Sequence, residues 1–210
     1  NGQGHHTAYS QLAASAFGCD PETVRVIEGD TDVIAEMSSG VGGSHFLQVA
    51  GPSFDGAATK VIDKARKIAA HLMEAADVDV EFEGGLFKVA GTDKSVSFAE
   101  VAGAAHNPSG LPEGVEPGLD ERYFYKHEGF TFPNGCHVAE VEVDPDTGHV
   151  AIEAYTVVDD FGRVMNPMLV AGQVHGGVVQ GLGQAMLERT VYDETGQLLT
   201  GSYMDYAMPR

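Results

Sequence analysis

The sequence is poor in basic residues and in cysteine. It carries 12 Lys and Arg against 31 Asp and Glu, which gives a formal net charge of −19 at pH 7. This charge argues against nucleic acid and anionic membrane as partners. Its two cysteines, Cys19 and Cys136, lie far apart and outside any Cys-x-x-Cys pattern. They form neither a disulfide framework nor a zinc site, so we expect a reducing compartment and a cytoplasmic protein.

A signal-peptide pattern and an initiating methionine are also missing, since the chain begins at Asn1. We therefore expect a piece of a longer polypeptide, folded as one large domain or as two lobes. The best candidate for a lobe boundary is the acidic, Pro- and Gly-rich segment of residues 107–120. No internal repeat or low-complexity segment is present.

Charge is absent from residues 167–187, which contain no Asp, Glu, Lys or Arg. Pro167 at a first helical position, capped by Asn166, predicts the start of a helix. The segment lacks the aromatic and basic flanks of a membrane span, so we expect a buried helix. Its five glycines each cost roughly 1 kcal/mol relative to Ala in a helix, and something must offset that cost. They are Gly172, Gly176, Gly177, Gly181 and Gly183.

Three glutamines of this segment share one helical face with a glycine. Gln173, Gly177, Gln180 and Gln184 follow the spacing i, i+4, i+7, i+11. The face suits a polar, uncharged or anionic ligand lying on the glycines, or a closely packed core helix whose amides bond neighbouring backbone. The spacing leaves both interpretations open. A nicotinamide site is excluded, because no buried parallel strand leads into these glycines.

The remaining periodicity predicts an α+β fold, with antiparallel hairpins packed against helices. A capping box of Ser97 and Glu100 marks one helix start, and we expect Pro52 to interrupt the longest helix. Predicted helices cover residues 6–17, 47–74 and 97–105, besides the uncharged one. Predicted strands cover residues 23–27, 78–82, 86–90, 122–132, 137–143, 149–158, 190–192 and 198–203.

Two further segments have features of ligand sites. Gly2-Gln3-Gly4 precedes a helix, an arrangement that combines free N–H groups with an amide and is in outline an anion site, or else an ordinary turn. The Gly/Ser loop of residues 37–46 is of the kind that exposes N–H groups to phosphate, although it lacks the Gly-Lys-Ser/Thr of a P-loop. Residues 28–32 carry Asp-x-Asp but not the rest of a calcium loop, so we expect no metal site in the chain.

The combined motifs resemble those of the molybdopterin-binding subunits of the xanthine dehydrogenase, aldehyde oxidase and aerobic carbon monoxide dehydrogenase superfamily. The similar stretches are His-Val-Ala-Glu-Val-Glu-Val from His137, Val-Val-Asp-Asp-Phe-Gly-Arg from Val157, the glycine-rich helix from Gly172, and the segment from Leu198 to Arg210. Together with residues 2–4 and 28–32 they span essentially the whole chain, which the resemblance identifies as a fragment, residues 1–210, of a molybdopterin-binding domain.

The resemblance implies that three segments hold molybdopterin, for which the cytosine dinucleotide is one form. The implied cofactor-binding residues are Gly2, Gln3, Gly4, Gly43, Ser44, His45, Phe46, Gln180 and Gly181. The loop departs from the family, which often has small residues or an Arg where His45 and Phe46 stand. If the ligand on the glycine helix is this cofactor, we expect Gln180 at the wall of an open cleft, with its amide unpaired by protein.

The resemblance further implies a molybdenum-dependent oxidoreductase that hydroxylates an aldehyde, N-heterocycle or similar small molecule with water as the oxygen source. Iron–sulfur and FAD subunits or domains would receive the electrons, and we expect an oligomer. The glutamate that acts as general base lies in a motif beyond this sequence, so Glu100, Glu140 and Glu188 are not assigned that role. We expect the chain alone to be inactive. The alternative is a non-catalytic structural or interaction piece that retains the fold.

Overall fold

The computed structural model describes residues 2–34 and 42–209, which form two compact units. The first, here called the core unit, is the described part of His5–Phe132. The second, the hairpin–helix unit, combines residues 2–4 with residues 133–209. The chain passes between the units after Gly4 and after Phe132. The segment of residues 107–120, which was the predicted lobe boundary, lies within the core unit.

Three helices and a small sheet make up the core unit. The helices are α1 (His5–Phe17), α2 (Phe46–Leu72) and α3 (Phe98–Ala105). The strands β1 (Val80–Glu83), β2 (Leu86–Val89) and β3 (Ser95–Ser97) form an antiparallel sheet in the order β1-β2-β3. The predicted helices and the β1–β2 hairpin are confirmed, and β3 was not predicted.

The core of this unit lies between α2, α3 and the sheet. Ala65, Ile68 and Ala69 of α2 follow helical spacing and are 0% exposed, as are Phe87 of β2 and Val101 of α3. Burying a side chain of the size of Phe or Ile stabilises a fold by about 1.5–3 kcal/mol. The amphipathic stripe of α2 therefore gives this unit a hydrophobic core of its own.

The expected interruption of α2 at Pro52 is wrong, because the helix runs through it. Proline removes one backbone hydrogen bond and crowds the preceding turn. Here the preceding residue is Gly51, which has no Cβ to clash with the ring, and the Ser53 hydroxyl donates to the Val49 carbonyl at 3.1 Å. The buried stripe farther along the helix holds the continuous geometry.

The hairpin–helix unit contains one long hairpin and one helix. Strands β4 (Asn134–Val143) and β5 (Val150–Asp160) pair antiparallel with a register shift at Glu140/Val141. Asp144 fixes their turn, accepting hydrogen bonds from the Asp146 N–H at 2.8 Å and the Thr147 hydroxyl at 2.7 Å. Helix α4 (Pro167–Met186) follows, with the Asn166 side chain accepting from the Leu169 N–H at 3.0 Å. The predicted hairpin, cap and helix are confirmed.

Two predicted strands, residues 23–27 and 122–132, are wrong, and one predicted hairpin forms only in part. Pro21–Thr23 forms a 3-10 turn, and neither residues 24–27 nor residues 122–132 pair as strands with any described part of the chain. Alternation of apolar residues needs a neighbouring strand, and residues 122–132 instead pack on α2, where the Lys60 ammonium donates to the Arg122 carbonyl at 2.8 Å. Of the hairpin predicted at residues 190–203, one bridge forms, between Tyr192 and Leu198.

Candidate functional site

Helix α4 is largely exposed, so its predicted complete burial is wrong for these residues. Gly183 is its buried residue, while Val174, Val178 and Leu182, at i, i+4 and i+8, are half-buried along one side. An absence of charge indicates an apolar surface but does not supply a neighbour to cover it. Within residues 2–34 and 42–209, no helix, α4 included, is long and apolar enough to cross a membrane.

The glycines of α4 share a side of the helix with its glutamines. At about 100° per residue, all five glycines and three glutamines fall within one half of the helix circumference. Apart from the adjoining backbone of α4 itself, a Cβ atom added at Gly172, Gly176, Gly177 or Gly181 would meet no described atom within 4 Å. Only Gly183 is closely packed, since a Cβ there would lie 3.0 Å from Pro209 Cγ. We call this surface the Gly/Gln face; packing against the described chain does not account for four of its glycines.

Gln180 is exposed on the Gly/Gln face. Its amide makes no hydrogen bond with any residue that the structure describes, and the same holds for Gln173 and Gln184. The interpretation that these amides bond neighbouring backbone therefore fails for the described part of the chain. A role for Gln180 and Gly181 in binding a cofactor stays a prediction.

The Gly2-Gln3-Gly4 turn lies in the same unit as α4 and contacts it. Gly2 and Gly4 have φ values of +85° and +76°, a conformation that favours glycine. A Cβ at Gly4 would lie 2.6 Å from Leu169 Cδ2, so the backbone of the turn rests directly on that side chain. Leu169 lies four residues before Gln173 and therefore on the Gly/Gln face. The turn therefore packs on the same side of α4 as Gln180, about three helical turns away from it.

The third predicted segment lies in the core unit, at the start of α2. Residues 37–41 of the predicted loop lie outside the described residues. Gly43 and Ser44 have φ values of +57° and +55°, and His45, the N-cap of α2, makes no side-chain capping bond. Among the described residues, no N-cap side chain accepts from the first N–H groups of α2 as Ser97 does for α3. Free N–H groups after a left-handed turn suit an anion such as phosphate.

Phe46, the first residue of α2, packs on aromatic rings of α1. It stacks on His5 with ring centres 4.3 Å apart and meets Tyr9 edge-on at 6.0 Å. The Glu28 carboxylate joins both histidines, with His5 Nδ1 at 3.1 Å and His6 Nε2 at 3.4 Å. Sequence reasoning did not connect Glu28 with these residues, because it directly follows the predicted strand of residues 23–27.

Tyr9 is the residue of this cluster that sequence reasoning missed. Its hydroxyl oxygen is buried and has no hydrogen-bond partner among the described residues. Burial, and next the charge of Glu28, raise the pKa of Tyr9 to about 12, so the hydroxyl is a neutral donor at physiological pH. The available signal was spacing, because Tyr9 follows His5 by four residues and shares its helical face.

The chain is similar to known molybdenum-containing proteins along its whole length. A family model described as "Molybdopterin cofactor-binding domain" matches residues 1–210. The carbon monoxide dehydrogenase large chain of Hydrogenophaga pseudoflava is 40% identical over 210 residues, with 99% of this chain and 26% of the relative covered. The nicotine 6-hydroxylase large subunit of Paenarthrobacter nicotinovorans is 39% identical over 210 residues, with the same 99% and 26% coverage.

The fold is also similar to a solved structure. Reconstituted CO dehydrogenase from Oligotropha carboxidovorans superposes with a TM-score of 0.89 at 35% sequence identity, over 99% of this chain and 26% of that chain. The expected α+β fold of antiparallel hairpins and helices is therefore confirmed. The chain spans about a quarter of the length of the relatives that it matches.

Proposed function

We propose that this chain, which belongs to the molybdopterin cofactor-binding domain family, supplies part of the cofactor site of a larger molybdenum hydroxylase. The observation that carries the proposal is the Gly/Gln face of α4. It is uncharged and open, and four of its five glycines have no described neighbour within 4 Å of an added Cβ. Their helix-propensity cost of about 1 kcal/mol each is explained if a ligand approaches the backbone there.

The residues present fit a pterin that carries phosphate. We propose that Gln180 and Gly181 of α4, and Gln3 with its neighbours Gly2 and Gly4, offer neutral amide and N–H groups to the cofactor in the hairpin–helix unit. In the core unit, the uncapped N–H groups after Gly43 and Ser44 would bind an anionic oxygen. His45 and Phe46 complete that segment. When bound, molybdopterin, in our proposal as the cytosine dinucleotide, supplies the redox centre of the hydroxylation.

The proposed activity of the whole protein is the oxidative hydroxylation of a small molecule such as an aldehyde or N-heterocycle, with water as the oxygen source. The names of the relatives support this class, since one acts on carbon monoxide and another on nicotine. We propose that the general base comes from outside these residues. Glu100 is engaged as a helix cap, accepting from the Ser97 N–H at 2.8 Å and the Ser97 hydroxyl at 2.6 Å.

We also propose that the rest of the subunit covers the hairpin–helix unit. Val141, Val143, Ile152 and Tyr155 share one face of the β4–β5 hairpin, and each is at least 36% exposed. A two-stranded hairpin is marginal in water by itself, so this apolar face needs a partner surface. Further proposed partners are iron–sulfur and FAD subunits, in an oligomer. A cytoplasmic location is also part of the proposal, and the two free cysteines, Cys19 and Cys136, support it.

The test replaces glycines of the open face in the full-length subunit, purified with its partner chains. We expect Gly177→Leu and Gly181→Leu to lower the molybdenum and pterin content at least tenfold, because a branched side chain fills the space of the ligand. Gly103→Leu is the matched control, since Gly103 is also an exposed helical glycine without a described atom within 4 Å of an added Cβ. Molybdenum and pterin contents equal to those of wild type in both α4 variants would show that the Gly/Gln face does not bind the cofactor.

A further inference from the structure

The carboxylate of Glu28 lies between the two histidines at the start of α1. Its Oε2 is 3.1 Å from His5 Nδ1 and its Oε1 is 3.4 Å from His6 Nε2. An ionised carboxylate only accepts hydrogen bonds, so the ring nitrogen that faces it in each histidine is the one that donates. Glu28 therefore fixes the orientation of rings that are 22 and 23 residues away from it in the sequence.

The two histidines differ in their other contacts. The His5 side chain is 13% exposed and stacks on Phe46, with ring centres 4.3 Å apart and ring planes at 23°. The His6 side chain is 65% exposed and makes no ring contact with any residue that the structure describes. Phe46 begins α2 and ends the predicted cofactor segment Gly43–Phe46. Within the described chain, Glu28 is thus linked to that segment through His5 and not through His6.

The start of α2 depends on this packing because no side-chain cap holds it. The N-cap His45 makes no side-chain capping bond, and the two residues before it have φ values of +57° and +55°. The direction of the first N–H groups of α2 is therefore determined by what the first helical residue, Phe46, rests on. A His5 ring whose orientation is locked by a hydrogen bond gives Phe46 a fixed surface.

We propose that Glu28 is a positioning residue for the cofactor segment Gly43–Phe46. It holds the His5 ring in the orientation on which Phe46 stacks, and it thereby fixes the helix start that receives an anionic oxygen of the cofactor. The assignment rests on the proposed function. It differs from a purely structural role, because partly exposed ion pairs contribute little to the stability of a fold.

The test is Glu28→Ala in the full-length subunit, purified with its partner chains. We expect pterin and molybdenum to be released about tenfold faster during dialysis, which is the lower end of the cost of losing an orienting hydrogen bond at a metal site. His5→Phe keeps a ring for Phe46 to stack on but removes the nitrogen that Glu28 holds. It should accelerate release equally, and Glu28→Ala should add nothing in that background. The melting temperature of the cofactor-depleted subunit should stay close to that of depleted wild type.

His6→Phe is the matched control, because it makes the same substitution at the other histidine beside Glu28, which does not contact Phe46. It should leave the rate of cofactor release unchanged. Release from Glu28→Ala at the wild-type rate, additive effects of Glu28→Ala and His5→Phe, or an equal acceleration by His6→Phe would each overturn the assignment. The proposed function would still stand after any of these results. A wild-type subunit without pterin would overturn the proposed function itself.

Discussion

At the scale of single residues, glycines of the predicted site serve two different purposes. Gly4 has a φ of +76° and its backbone rests on Leu169, so the described chain explains why a side chain is excluded there. Gly177 lies inside a regular helix with open space beyond its Cα, so neither conformation nor packing in the described chain explains it. The first glycine builds the turn, and the second leaves room for something that approaches the helix.

Gly4→Ala should therefore destabilise the subunit through backbone strain and through the clash with Leu169. Gly148→Ala is the matched control in the same unit, with a φ of +73° and no described atom within 4 Å of an added Cβ. Both should lose roughly 1 kcal/mol to the left-handed conformation, and Gly4→Ala should lose more. Thermal unfolding in a Leu169→Ala background should remove the difference. A difference that persists there would show that Leu169 is not the obstacle.

At the scale of elements, patterns of a few neighbouring residues predicted helix starts and turns correctly. Alternation of apolar residues did not predict which segments pair as strands. The Asn166-Pro167 start of α4, the Ser97–Glu100 capping box and the short connection between the predicted strands of residues 137–143 and 149–158 each depend on a few neighbouring residues, and the structure has all three. Residues 23–27 and 122–132 alternate like strands but find no strand partner in the described chain. Pairing is decided by distant residues, which a local pattern does not contain.

In the candidate site, too, features within one helix could be predicted from the sequence and contacts between distant residues could not. The Gly/Gln face follows from helical spacing alone, so the sequence predicted which residues share it. The burial of the Tyr9 hydroxyl depends on the packing of α2 against α1, and the bond between Glu28 and His5 joins residues 23 positions apart. Neither could be obtained from spacing within one element.

The capping box of α3 makes a prediction about pH. The Ser97 hydroxyl and N–H donate to Glu100 and lower the pKa of that carboxyl below its ordinary value of 4.5. A lowered pKa gives a contribution that is present above the ordinary value and is lost as the pH falls through the lowered one. Ser97→Ala should reduce the free energy of unfolding by about 1 kcal/mol at pH 7. Thermal melts should show a smaller penalty at pH 3, and an equal penalty at both pH values would contradict this account.

At the scale of the whole molecule, the two units differ in how their apolar groups are covered. Every buried hydrophobic side chain of the described residues lies between Ala8 and Ala105, within the core unit. The hairpin–helix unit exposes Val158, Met168 and Tyr203 at 69%, 73% and 98%. That unit, which holds the Gly/Gln face, therefore presents most of the apolar surface that the proposed remainder of the subunit would cover.

The central claim is that these residues form one part of a molybdopterin site that other parts of the subunit complete. The most direct test is the molybdenum-to-protein ratio, measured by elemental analysis for the full-length subunit with its partner chains and for the 210-residue chain expressed alone. We predict about one molybdenum per full-length subunit and less than about a tenth of that for the chain alone, because a partial site loses the advantage of preorganisation. A full-length subunit without molybdenum, or an isolated chain loaded like the subunit, would contradict the account.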